Sequence, residues 1–286
     1  MLALVASSCS NRSTLGFGPG CTSCPMARTV VSSSRVRAGA ILSSVNYPPL
    51  VSAEAYLVDA GLVPYQEALE LQRSFAAAVI GGMAREAVIL VEHPPVVTAG
   101  RRTGESEVHL PDDTSVEVIE TNRGGKSTFH GPGQLVCYPI LDLNRHGKDL
   151  KRYVRDLERA IIATVAPFGM SAVTIDGLTG VWLEAPPRKL ASIGIHVSRW
   201  VTTHGFALNV DLDPAPFTSW ITACGLEDAQ FTTMSRELGR AVSVDEVKPA
   251  AIMALAEVFG LEFESLAVAD VTGLLACAAP APLAAG

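Results

Sequence analysis

Cys224, Lys189, His130 and His204 are the side chains of this sequence best suited to covalent or acid–base work. Each lies in or beside a glycine-bearing segment. A thiolate attacks well and leaves well, so thioesters form and decompose easily. It persists at neutral pH when a cation is near. A lysine supplies that cation, and a desolvated lysine also serves as a base. Arg188 competes for the role, but a guanidinium does not shuttle protons near neutral pH. The histidines can position a carbonyl or act as acids. Together the four point to acyl chemistry through a thiol. Taken singly, each has a commoner use: a small buried apolar cysteine, a solvated hairpin lysine, a core histidine.

These residues need a wall to work against. The run Arg123-Gly-Gly-Lys-Ser-Thr-Phe-His-Gly-Pro-Gly-Gln134 places four glycines, two hydroxyls, two cations and a histidine in twelve residues between apolar stretches. Such density lets a backbone approach a ligand closely, so the run reads as a pocket wall. It is not a phosphate loop: the glycine required five positions before Gly125 is Glu120, and G-x-G-x-x-G is also absent. Lys189-Leu-Ala-Ser-Ile-Gly194 and His204-Gly-Phe-Ala-Leu-Asn209 share its character, and Ala223-Cys224-Gly225 follows.

The elements that must position them follow from periodicity. Residues 63–80 predict an amphipathic helix stopped by Gly81-Gly82, and 150–168 a second one ended by Gly169. Strands are predicted over 86–92, 116–121, 135–143, 172–175, 180–183, 189–197 and 201–210, with a hairpin at Ala185–Arg188. Ser243-Val-Asp-Glu246 is a capping box opening a helix to Phe259. The order is mixed, so the expected fold is α+β, a mixed sheet with packed helices.

Composition divides the chain of 286 residues. Residues 1–50 hold ten serines, four arginines, three of the six cysteines and no acid. They read as a targeting leader or as an over-extended start, with translation beginning near Met26. Residues 51–266 are expected to form one catalytic domain, and the Ala-rich tail 267–286 is expected to be disordered. The whole chain carries −7; the leader carries +4, so the remainder is at −11. That argues against nucleic-acid binding. No apolar stretch approaches a membrane span. Cys21 and Cys24 form one isolated C-x-x-C, a weak zinc signal. Local cations at Arg145, Lys148, Lys151, Arg152, Arg155 and Arg159 offer a docking face for an acidic partner.

The glycine-rich run through Ile140, together with Gly180-Val-Trp182, Lys189…Ser192-Ile-Gly194, His204–Asn209 and Cys224-Gly225, resembles the signature of lipoyl(octanoyl) transferases. The likeness runs in order from about Tyr65 to Val258. It implies the biotin and lipoate protein ligase catalytic fold. It implies transfer of an octanoyl group from octanoyl-acyl carrier protein to a lysine of lipoyl domains, those of 2-oxoacid dehydrogenases and the glycine cleavage H protein. Cys224 matches the position that carries the acyl thioester, and Lys189 the lysine that promotes the thiolate and shuttles protons. The acyl pocket maps onto Arg123, Gly124, Gly125, Lys126, Ser127, Thr128, Phe129 and His130, with Ser192, Ile193 and Gly194, and with Gly205, Phe206 and Ala207. The resemblance implies no cofactor, no metal and a cytoplasmic enzyme, or an organellar one if residues 1–50 are a transit peptide. Ala223 replaces the usual proline before the cysteine, and Phe231-Thr-Thr-Met234 replaces Val-Thr-Ser-Leu. Both keep size and polarity. An ATP-dependent lipoate or biotin ligase and a non-catalytic acyl-protein scaffold are the rival readings.

Overall fold

In the computed structural model, residues 53–222 and 230–278 are described. Twelve strands and six helices follow in order. They are β1 (Ala53–Leu62), α1 (Tyr65–Ile80), β2 (Glu86–Glu92), β3 (Val96–Ala99), β4 (Glu117–Glu120), β5 (Thr128–His130), β6 (Gln134–Ile140) and α2 (Leu150–Val165). Then come β7 (Val173–Ile175), β8 (Leu178–Leu183), β9 (Arg188–Ser198), β10 (Val201–Asn209), α3 (Pro216–Ser219), β11 (Gln230–Phe231), α4 (Met234–Leu238), α5 (Val244–Phe259), β12 (Leu261–Ser265) and α6 (Val268–Ala278). The main sheet runs β12-β1-β2-β6-β10-β9-β8-β7, with β11 beside β9; β4-β3-β5 form a second, small sheet. β1 is parallel to β12 and β2, and β11 to β9, while β6, β10, β9 and β8 pair antiparallel. The fold is therefore α+β with a mixed sheet.

Alternation along the central strands sorts the core into two layers. Val88, Leu90, Leu135, Cys137, Phe206 and Leu208 face one layer with Leu157 and Ile161 of α2 and Val247 and Leu255 of α5. Ala87, Ile89, Val91, Val136, Tyr138 and Ala207 face the other, under Ala68 and Phe75 of α1 and Val271 of α6. The second predicted amphipathic helix is α2, and its apolar residues are buried only in part. Leu157, Ile161 and Val165 are buried, but Leu150 is 47% exposed at the helix start. Asp149 caps that helix, accepting the N–H groups of Lys151 and Arg152. Ser243 caps α5 as the capping box predicts, accepting Glu246 N–H at 3.2 Å.

One expectation is corrected. The stretch from Val268 to Ala278, expected to be disordered, is α6, which places Val271 in the core beside α1. Its apolar content reads as low complexity, yet it supplies an apolar face to α1. No helix among the described residues is long and apolar enough to cross a membrane.

Candidate active site

Lys189 opens β9 opposite Trp182 of β8, and further along the strand Ser192, Ile193, Gly194 and Ile195 pair with Ala207, Phe206, Gly205 and His204 of β10. This register brings two of the predicted segments, Lys189–Gly194 and His204–Asn209, onto one wall. A cavity of about 410 Å³ lies against it, closed by Arg123–Thr128 and His130. Lys189, 3% exposed, lines it. The lysine is thus buried and is not the solvated hairpin residue.

The glycine-rich loop is held from inside. The Arg123 guanidinium donates to the Thr98 carbonyl (2.6 Å) and hydroxyl (2.8 Å) and to the carbonyl of Lys126 (2.7 Å). Gly124 N–H donates to the Ile195 carbonyl at 2.8 Å, which docks the loop on β9. Arg123 therefore lines the cavity while its charge serves the loop. Lys126 pairs with Glu107. On β5 the side chains alternate: Thr128 and His130 line the cavity, but Phe129 turns away to pack on Phe217 and Trp220. Phe129 was expected in the pocket; the pleat of β5 excludes it.

His130 is fixed as a neutral ring. It faces the Gln134 amide oxygen (Nδ1, 2.7 Å) and the Thr98 hydroxyl (Nε2, 3.5 Å). Burial pulls it down to about 3, helped by nearby His93. Gln134 passes the chain on to Asn209 (3.0 Å), whose amide donates to the Thr232 carbonyl (3.1 Å). His204, in a left-handed conformation at φ +58°, contacts the Tyr65 hydroxyl (3.3 Å) and the Asn122 amide oxygen (2.8 Å). Burial, then Arg123, brings it to about 3. His93 donates to the Val63 carbonyl (2.8 Å) and accepts from Tyr138 (2.7 Å); burial brings it to about 4. At neutral pH all three rings are therefore neutral, and His130 and His204, which line the cavity, are not imidazolium acids there.

Cys224 lies outside the described residues, but both ends of its segment are placed. Before it, Thr222 N–H donates to the Glu107 carbonyl at 2.9 Å, and Ile221 bridges Val108. After it, Phe231 pairs with Lys189, and Thr232 N–H donates to the Lys189 carbonyl at 3.0 Å. Arg188 is engaged elsewhere, in a bidentate pair with Glu237 (2.8 and 3.0 Å). Thirteen of the fourteen predicted pocket residues line one cavity together with Lys189; Phe129 does not. Tyr65, Arg102, Tyr138 and Trp182 were missed as lining residues. Trp182 and Tyr138 carried a signal, since they stand in the Gly180-Val-Trp182 block and in the signature run through Ile140; Tyr65 marks only where the likeness begins.

Sheet order, cavity and buried lysine define an α+β fold with its candidate site on the β9–β10 wall. Two solved structures share it. A bipartite lipoate protein ligase of Thermoplasma acidophilum superposes with a TM-score of 0.63 at 16% identity, over 78% of this chain and 91% of that one. A lipoate-protein ligase A bound with ATP gives 0.60 at 14%, over 79% and 93%. Residues 64–256 match the lipoyl protein ligase A/B catalytic domain, and the chain belongs to that family. Its relatives include the octanoyltransferase of Geobacter sulfurreducens, 52% identical over 68% of this chain and 80% of that protein. The octanoyltransferase of Mycobacterium tuberculosis is 50% identical over 66% and 80%. The chain is accordingly an enzyme of the acyltransferase class.

Proposed function

We propose that the enzyme moves an octanoyl group from octanoyl-acyl carrier protein to a lysine of a lipoyl domain, through a thioester on Cys224. The observation that carries this reading is the pairing of Lys189, buried on the cavity wall, with the strand that directly follows the Cys224 segment. Lys189 takes the Cys224 proton. The sulfur attacks the carrier thioester, the C–S bond to the carrier breaks, and the proton passes to the departing thiol. The acceptor lysine then attacks the Cys224 thioester, and its proton returns to the cysteine sulfur by way of Lys189. Backbone N–H groups of the glycine-rich loop are suited to hold the oxyanion. Ile193, Val136, Phe206 and Leu178 give the cavity the apolar lining that an eight-carbon chain needs.

The acceptors are lipoyl domains of 2-oxoacid dehydrogenases and the glycine cleavage H protein, residues 51–266 with α6 packed on them are the catalytic unit, and the reaction runs in the cytoplasm, or in an organelle if residues 1–50 are a transit peptide. The test is incubation with octanoyl-acyl carrier protein without ATP, followed by mass spectrometry. An octanoyl adduct is expected on Cys224, absent in Cys224→Ser. A product formed only with ATP would establish the ligase reading, and binding without an adduct the scaffold reading.

A further inference from the structure

Trp182 faces Lys189 across the β8–β9 pair, so both side chains stand on one side of the sheet. The Lys189 Nζ lies 5.1 Å from the centre of the indole ring, within cation–π range. Two residues earlier, Gly180 makes room for this pair. It sits at φ +120°, and a Cβ there would fall 2.8 Å from Lys189 Cε and 2.5 Å from the Ala191 carbonyl oxygen. The Gly180 N–H donates to the buried Glu158 carboxylate at 3.1 Å, which fixes the turn of backbone before the tryptophan.

Trp182 is 2% exposed and lines the cavity, yet its Nε1 is buried with no hydrogen-bond partner among the described residues. Buried donors are almost always paired, and one left unpaired loses its water with nothing in return. An indole N–H can only donate, so its partner must be an acceptor. The Ser127 hydroxyl, on the opposite loop, is likewise buried without a partner on the same cavity. The wall beside Lys189 thus holds polar hydrogens that the protein itself does not use.

We infer that Trp182 is a substrate-binding residue: its ring holds the Lys189 ammonium, and its indole N–H donates to a carbonyl oxygen of the bound acyl ligand. The ligand class is an acyl thioester or amide, whose carbonyl is the only strong acceptor on an otherwise apolar chain. This rests on the acyl-transfer reading above.

The chain has three tryptophans, hence three indole N–H signals in a proton–nitrogen spectrum. The one missing from Trp182→Phe is assigned to Trp182. Octanamide, a neutral probe with one carbonyl, is titrated into the full chain. The Trp182 signal should move downfield on binding, and Trp182→Phe, which keeps a ring and loses the donor, should bind about tenfold more weakly. If octanamide binds wild type while that signal stays in place, or binds Trp182→Phe equally well, the inference falls and the acyl reading stands. If wild type does not bind octanamide, both fall.

Discussion

Glu107 pairs its carboxylate with Lys126 and gives its backbone carbonyl to the Thr222 N–H at 2.9 Å. One residue thereby joins the glycine-rich loop to the last described residue before the Cys224 segment. The far end of that segment is joined to Lys189. The loop that walls the cavity and the two described ends flanking the Cys224 segment are held to one frame.

Glu107→Gln should therefore separate activity from stability. Lys126 is one-third exposed, so losing the pair should cost less than about 1 kcal/mol of stability. Misplacement of the loop relative to the thiol should lower kcat several-fold with KM nearly unchanged. Steady-state kinetics beside a thermal melt checks this. An unchanged kcat would show that the loop holds its place without the pair.

Three buried histidines, His130 and His204 on the cavity and His93 behind His130, set an acid limit. Burial pulls His93 to about 4 and His130 and His204 to about 3, below the free value of about 6.5. Between these values the unfolded chain binds more protons than the folded one, so stability rises with pH there. Their contribution is complete above about pH 6.5 and is lost as the pH falls towards 4 and then 3. Melting temperature should be flat from pH 8 to 7 and fall below 6.5. His93→Gln removes one titrating ring and should shallow that fall. A melting temperature that rises on acidification would contradict neutral buried rings.

Gly205 tests how closely β10 approaches β6. A Cβ at Gly205 would overlap the Cys137 carbonyl oxygen and lie 2.7 Å from Pro139 Cδ, both rigid. Gly205→Ala should cost on the order of 1–3 kcal/mol by overpacking. Gly273 in α6 meets nothing within 4 Å, and Gly273→Ala should be neutral or stabilising by up to about 1 kcal/mol. Equal melting temperatures for the two variants would refute the close approach.

Much of this was readable from local pattern. β2 matches its predicted span, 86–92, and α5 starts at its predicted cap, because short apolar runs and capping boxes act within a few residues. β1 and β12 were missed. They pair with each other in parallel, 208 positions apart at Ala53 and Leu261, and nothing local records that. β3 was missed because His93-Pro-Pro reads as a stop, although the chain resumes at once as a strand of the second sheet. In the site, the glycine segments were legible by composition. The polar backing of His93, Tyr65 and Tyr138 was not, since it arises where α1, β2 and β6 converge.

The basic segment now divides. Arg152 and Arg159 pair with Asp156, and Arg155 with Glu158, so half of the expected docking face is spent on α2 itself. Lys148 lies over Trp200, which is 37% exposed, and Lys151 and Arg199 are exposed nearby in sequence and along the β9–β10 turn. If an acidic carrier docks there, Lys151→Glu with Arg199→Glu should raise KM about fivefold or more with kcat little changed, and salt should weaken wild-type binding. Reversal at Arg155 should instead lower the melting temperature, because it leaves the buried Glu158 beside a like charge. An unchanged KM at low salt moves the docking face to Arg101 and Arg102, beside the glycine-rich loop.

Lys189 offers the sharpest test, because two roles fall on one side chain. In the proposed mechanism it favours the Cys224 thiolate as a cation and carries protons in both half-reactions as an acid–base. Lys189→Arg keeps the charge but cannot give up its proton near neutral pH. Both Lys189→Ala and Lys189→Arg should lose turnover by about 10²-fold or more, the range of a lost general acid–base. Iodoacetamide labelling of Cys224 at neutral pH separates the roles. Labelling should slow strongly in the alanine variant and less in the arginine variant, since only the second retains the cation that the proposed mechanism assigns to the thiolate. The ring of Trp182 gives the arginine a face to stack on, which should help keep that charge in place. If neither labelling nor turnover responds to Lys189→Ala, the lysine is structural. A neutral imidazole can still accept a proton, so His130 or His204 on the same cavity would then be the base to test.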